Sequence, residues 1–161
     1  MRIIGVDPGL VSAGWGIIEA RGSQLSFVAC GTISPKKDLS LSERLLVLHR
    51  DLSAIISQHQ PTHAALEETF VTAKGSSTLK LGQARGALLV TLAGAGLPVA
   101  EYAARVVKKA IVGTGSADKH QMSQMVGVLL PASREPMAAC KHDAADALAL
   151  AICAANSVRS Y

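Results

Sequence analysis

Three short apolar runs crowd into the first 33 residues, and helical spacing takes over only after them. Ile3, Ile4 and Val6 form the first run, which stops at Asp7-Pro8-Gly9. Gly14–Ala20 forms the second and Gln24–Ile33 the third, with Arg21-Gly22-Ser23 between them as a hairpin signal. Short apolar runs bounded by glycine, proline and serine read as strands, and links this short fold them back as an antiparallel meander. From Leu41 to about Gln58 the apolar residues fall at 41, 45, 48, 52, 55 and 56. That is the stripe of an amphipathic helix, with Ser40 or Ser42 as its cap.

His63–Glu67 reads as a fourth strand, central and parallel to the first, and Thr69–Ser77 as a loop. A helix over Thr78–Ala93, a fifth strand over Leu97–Tyr102 and a short helix over Arg105–Val112, ended by Gly113-Thr114-Gly115, follow. Asp118–Leu130 reads as a helix with Ser116 as its cap, Pro131–Cys140 as a loop, and His142–Ser157 as a last helix, apolar on most sides. No internal repeat or low-complexity linker interrupts the pattern, so one compact α/β domain over residues 1–161 is expected.

Composition narrows the class. With 49% hydrophobic residues the 161-residue chain can bury a core without disulfide or metal staples. At 3% aromatic residues that core must be aliphatic and alanine-rich. A charged fraction of 17% and a mean hydropathy of +0.31 exclude general disorder. Cys30, Cys140 and Cys153 are odd in number and form no CxxC pair, which argues against a disulfide framework or a zinc site and for a reducing cytosol. No signal peptide is read in the apolar start, and the longest apolar stretch, Gly86–Ala100, is too short to span a membrane. A soluble cytoplasmic protein is expected. The net charge of +4 and pI of about 9.2 tilt towards an anionic partner, nucleic acid or a phosphate ligand.

The acids carry the chemistry. Asp7 ends the first strand. Asp-Pro-Gly is ordinary turn material, but the C-terminal ends of central strands are where α/β sheets place reactive groups. Glu67 and Glu68 end the fourth strand, and alternation lets only one of them face the same way as the buried Ala-Ala-Leu pattern requires. A buried strand beside the first would bring Glu67 next to Asp7. Asp143 and Asp146 are three apart at the head of the last helix and share a face. First-turn acids commonly serve the helix dipole, yet Asp146 lies within an apolar run, where a buried charge demands a partner. Clustered carboxylates are tolerable around divalent cations, and oxygen-only donors favour Mg²⁺ or Mn²⁺ over zinc. Two such ions about 4 Å apart suit in-line phosphodiester hydrolysis.

The order strand-Asp, strand-Glu, helix-Asp-x-x-Asp resembles the ribonuclease-H-like nucleases. Gly-Val-Asp-Pro-Gly at 5–9, Leu-Lys-Leu-Gly-Gln-Ala-Arg-Gly at 79–86, Glu-Tyr-Ala-Ala-Arg at 101–105 and Asp-Ala-Ala-Asp-Ala-Leu-Ala at 143–149 resemble, more narrowly, the RuvC-type Holliday-junction resolvases of bacteria. The similarity runs from residue 1 to about residue 154. It implies a five-stranded mixed sheet flanked by helices and a homodimer that nicks two opposed strands of a four-way DNA junction, leaving 5′-phosphate and 3′-hydroxyl ends. It implies two Mg²⁺ ions per site, with Mn²⁺ able to substitute, and service in recombination and repair beside a branch-migration complex of RuvA- and RuvB-type proteins.

Asp7, Glu67, Asp143 and Asp146 take the metal-ligand and catalytic roles in this resemblance, and Glu67 is favoured over Glu68. Phe70, otherwise a loop anchor, becomes a base-stacking wedge, an interaction worth about 1–3 kcal/mol. Lys74, Lys80 and Arg85, otherwise a solvated helix face, become a basic rim. Lys108 and Lys119 match positions that contact the scissile region. His142 precedes the slot that histidine occupies in some members, and a cap or surface role is expected for it. Gly82 and Gly86, four apart on one helix face, are expected to permit close approach of the sheet or of a second subunit.

Two rival classes remain at this stage. Asp7-Pro8-Gly9 followed by Gly14 loosely fits the phosphate loop of actin-like ATPases and sugar kinases, though those proteins need two such domains. A junction-binding module without catalysis is the other, and the presence of all four acids argues against it.

Overall fold

The computed structural model describes residues 1–69, 76–140 and 142–158. Strands β1 (Arg2–Asp7), β2 (Ala13–Arg21), β3 (Gln24–Ile33), β4 (His63–Glu68) and β5 (Val99–Ala103) form one sheet in the order β3-β2-β1-β4-β5. The meander is antiparallel, β1 to β2 and β2 to β3, while β4 runs parallel to β1 and β5 parallel to β4. This is the mixed five-stranded sheet that the family resemblance implied, and it puts β1 at the centre.

The helices are α1 (Leu41–His59), α2 (Ser76–Gly94), α3 (Ala104–Val112), α4 (Lys119–Leu129), α5 (Arg134–Ala139) and α6 (Asp143–Val158). Ser40 caps α1 in a reciprocal box with Glu43, resolving the choice between Ser40 and Ser42. Gly113 closes α3 in the left-handed conformation at φ 88°. Two expectations are corrected. The cap of α4 is Asp118, which exchanges hydrogen bonds with Gln121, and not Ser116. The segment after α4 is no loop: a 3₁₀ turn over Pro131–Ser133 leads into α5. Pro131 suits the first position of such a turn, where its missing N–H costs nothing.

Strand alternation divides the core in two. Ile4, Val6, Ile17, Ala64 and Leu66 face Leu48 and Leu52 of α1 and Ala84, Leu88 and Leu92 of α2. Ile3, Ile18, Ala20 and Ala65 face the other way, under α6, with α3 and α4 packed beside it. The buried face of α6 is mostly alanine, and glycines on the sheet let it come close. A Cβ on Gly5 would fall 1.9 Å from the Ala147 carbonyl oxygen, and one on Gly14 would fall 2.0 Å from that of Asp143. The scarcity of aromatic residues and this close helix–sheet contact are one design. No helix among the described residues is long and apolar enough to cross a membrane.

Candidate active site

Asp7 follows Ile3 and Gly5 in alternation, so its side chain emerges on the α6 face at the end of the central strand. Glu67 follows Ala65 by the same rule, at the end of the neighbouring parallel strand. Glu68 takes the opposite parity and is exposed, so the two glutamates point to opposite faces of the sheet. Asp143 and Asp146 open α6, whose first turn is held against β2 by the missing side chain of Gly14. That contact also accounts for Gly14 without a phosphate loop: α6 occupies the space beside it.

Asp7, Glu67 and Asp146 line one cleft of about 250 Å³, closed by Lys108 of α3 and Lys119 of α4 over an apolar wall that includes Val107 and Met122. Asp143 is not on its lining but lies close enough to act on Asp7. Burial, then the charges of Glu67, Asp146 and Asp143, push the Asp7 carboxyl from 3.8 up to about 8, against the pull of Lys119. Burial and Asp146 raise Glu67, while Lys108 and Lys119 lower it. Asp146 is raised by burial and by Asp143 and lowered by Lys119, His142 and Lys108. The acids thus repel one another across a partly dry cleft, and the two lysines supply the opposing charge.

Such a set fits hard divalent cations, which take carboxylate oxygens and neutralise their repulsion. Among the described residues no group of three or more His, Cys, Asp or Glu side chains is already drawn together to hold a metal ion. The carboxylates reach the one cleft from three separate elements, β1, β4 and α6.

The basic residues separate on inspection. Lys108 and Lys119 stand on the cleft itself. Lys80 is exposed on α2. Arg85, expected on the same rim, is turned inward, with its side chain 20% exposed and paired with Glu101. Phe70 and Lys74 lie outside the described residues. His142 is exposed at the head of α6, with Nδ1 3.4 Å from the Ser123 hydroxyl. A larger groove, about 830 Å³, runs between α4 and α5 past His120, Arg134 and His142, but no carboxylate lines it. The smaller cleft is where the acids are.

The profile described as Crossover junction endodeoxyribonuclease RuvC matches residues 3–154. The chain belongs to the RuvC family. A relative of that same description in Bradyrhizobium diazoefficiens is 52% identical over 160 residues, covering 99% of this chain and 89% of the relative. Among solved structures, T. thermophilus RuvC in complex with Holliday junction substrate superposes with a TM-score of 0.89 at 29% identity, covering 99% of this chain and 96% of that one. The fowlpox virus Holliday junction resolvase shares the fold alone, with a TM-score of 0.61 at 13% identity over 98% of this chain and 99% of that one. The RuvC match and the sheet order agree with the ribonuclease-H-like architecture implied by the sequence.

Sequence reasoning did not single out Glu101 or the apolar wall of the cleft. Glu101 opens the Glu-Tyr-Ala-Ala-Arg motif at 101–105, so the signal was present. Its partner became visible only once α2 was placed over β5.

Proposed function

We propose that this RuvC-family endonuclease cuts four-way DNA junctions at the cleft lined by Asp7, Glu67 and Asp146, with Asp143 acting beside them and residues 1–161 acting as one nuclease domain. The observation that carries the assignment is the meeting of acids from β1, β4 and α6 in one cleft rimmed by Lys108 and Lys119. Asp7, which feels the charge of all three other acids, would be shared between the ions. Glu67, Asp146 and Asp143 would complete the ligand set. Bound there, two Mg²⁺ ions, or Mn²⁺ in their place, would supply the charge that activates water and stabilises the leaving oxygen. Lys108 and Lys119 would hold the scissile phosphate against the acids. Lys80, with Phe70 and Lys74, would guide the junction arms into the cleft.

A junction offers two equivalent strands, and paired nicks need two copies of the site. We assign dimerisation to the outer face of α2. Leu79, Gly82, Gly86 and Val90 fall on one side of that helix, and Leu46 of α1 adjoins it at a shared groove with Val90. Leu46, Leu79 and Val90 are 62%, 67% and 69% exposed. Apart from the adjoining backbone of α2 itself, no described atom lies within 4 Å of a Cβ built on Gly82 or Gly86, so the sheet is not the neighbour those glycines admit. The setting we propose is recombination and repair in the bacterial cytoplasm, after branch migration by RuvA- and RuvB-type proteins.

The test is incubation with a labelled synthetic four-way junction and with linear duplex, each with Mg²⁺ or with chelator. Paired symmetric nicks in the junction alone, abolished by chelator, are expected. Binding without nicking would make the chain a non-catalytic module, and equal nicking of both substrates would remove junction selectivity.

A further inference from the structure

Arg85 lies in α2, on the side of the sheet opposite the acid cleft. Its Nε donates to the main-chain carbonyl of Glu67 at 3.1 Å, and its Nη2 pairs with the Glu101 carboxylate on β5. Both partners sit at the business end of the sheet. Registered pairing of β1 with β4 ends at Val6 opposite Leu66, so Glu67 stands one step beyond the ladder on that side. Glu101 is registered with Leu66 on the other side. The ladder already pairs β4 with β5 as far as Glu68 opposite Ala103, and the one guanidinium ties both strand ends to α2.

We propose that Arg85 is a positioning residue for strand cleavage: by holding the Glu67 peptide from behind the sheet, it sets where the Glu67 carboxylate enters the cleft. The proposal rests on the assignment of Glu67 to the acid cluster. The alternative is the role expected from the sequence, a phosphate contact on the basic rim. That role would require the guanidinium to leave its two acceptors, the part-buried Glu67 carbonyl and the more exposed Glu101 carboxylate, and an acceptor held away from water is destabilised when its donor is withdrawn. The fork geometry also matters. Arginine presents donors in fixed, divergent directions, whereas a lysine ammonium is a single point of charge and cannot serve both acceptors in the same way. Because β4 delivers Glu67 through its backbone, a small rotation of that peptide moves the carboxylate, and a displacement of about 1 Å in a catalytic constellation can cost ~10²-fold.

The two roles predict opposite splits between binding and turnover. The full-length chain carrying Arg85→Lys or Glu101→Gln is compared with the wild type at a temperature where all are folded. Junction affinity is measured in chelator across a salt series. Cleavage of bound junction is then followed in single turnover against Mg²⁺ concentration. A positioning role predicts that Arg85→Lys leaves the affinity and the salt slope unchanged, slows cleavage of bound junction by about 10–100-fold and raises the Mg²⁺ needed for half-maximal rate. Glu101→Gln is expected to slow the same step by a smaller factor, also without loss of affinity.

Arg85→Ala showing a salt slope shallower by about one, with Arg85→Lys cleaving bound junction at the wild-type rate, would establish the phosphate contact and overturn the proposal. Wild-type cleavage by both Arg85→Lys and Glu101→Gln would overturn it as well. A Glu67→Gln control separates the two levels: if that variant cuts normally, the active-site assignment fails and the positioning role fails with it. If Glu67→Gln is inactive while the strut variants are normal, only the strut is lost.

Discussion

Asp7 is held in the folded chain as an acid that keeps its proton to about pH 8, where the unfolded chain would release it near 3.8. Throughout that window the folded state binds more protons than the unfolded state, so stability falls as pH rises from about 4 to 8. In the absence of divalent ions, Asp7→Asn should raise the unfolding midpoint at pH 8 by about 5 °C, the shift that ~2 kcal/mol produces at this chain length. The same substitution should retain junction binding and reduce nicking by about 10²–10³-fold, the scale on which one electrostatic group in an active site is felt. Thermal melts in chelator and nicking assays in Mg²⁺ check the two halves separately. A midpoint that falls at pH 8 would remove the repulsion argument. Lys119 lowers Asp7, Glu67 and Asp146 alike. Replacing it by Gln should move the acid limb of the pH–rate profile to higher pH, because the carboxylates then ionise later. A profile displaced to lower pH would contradict the arrangement.

The head of α6 approaches β2 only because Gly14 has no side chain. Gly14→Ala would press its Cβ on the Asp143 main-chain carbonyl, and neither atom can turn aside by a side-chain rotation. A cost of about 1–3 kcal/mol is expected, read as a drop in unfolding midpoint, with nicking of bound junction falling further than affinity because Asp143 and Asp146 ride on the displaced turn. Equal loss of binding and nicking would mean that the helix head has no special part in cutting. What could be read beforehand follows the same divide between local and tertiary causes. The antiparallel meander, the parallel fourth strand, the span of α1 and the strand-end position of Asp7 follow from periodicity and turn signals, which are local, whereas the full five-stranded sheet and the choice of Glu67 over Glu68 came with the family resemblance. Over α5 the residues Pro131, Ser133 and Pro136 speak for turns, and six residues are too few to show helical spacing. The cap at Asp118 was legible in its pairing with Gln121 three residues on. Arg85 was not: a basic residue on a helix reads as a solvated one until Glu101, distant in sequence, is brought beneath it.

At the scale of the whole molecule, Leu79, Val90 and Leu46 leave an apolar face on the side of the sheet away from the acid cleft. Isolated exposed apolar residues need no explanation, but a patch on one helix face, with glycines beside it, marks an interaction surface. A second copy seated there would carry one acid cleft per protomer to the two equivalent strands of a junction. Val90→Glu tests this with little disturbance to the protomer, since substitutions at exposed positions usually change stability by less than about 0.5 kcal/mol. It is expected to halve the mass in solution and to convert paired nicks into single, uncoordinated ones, while the rate of a first nick persists at high protein concentration. Gly82→Ala gives the complementary reading. Alanine in place of glycine favours a helix by about 1 kcal/mol, and the protomer has open space for the methyl group. The isolated protomer should therefore become more stable, and the dimer weaker, because a partner helix must now clear the added methyl. A Val90→Glu protein of unchanged mass with coordinated nicks would place the interface on another face, and a tighter dimer in Gly82→Ala would place it away from that glycine.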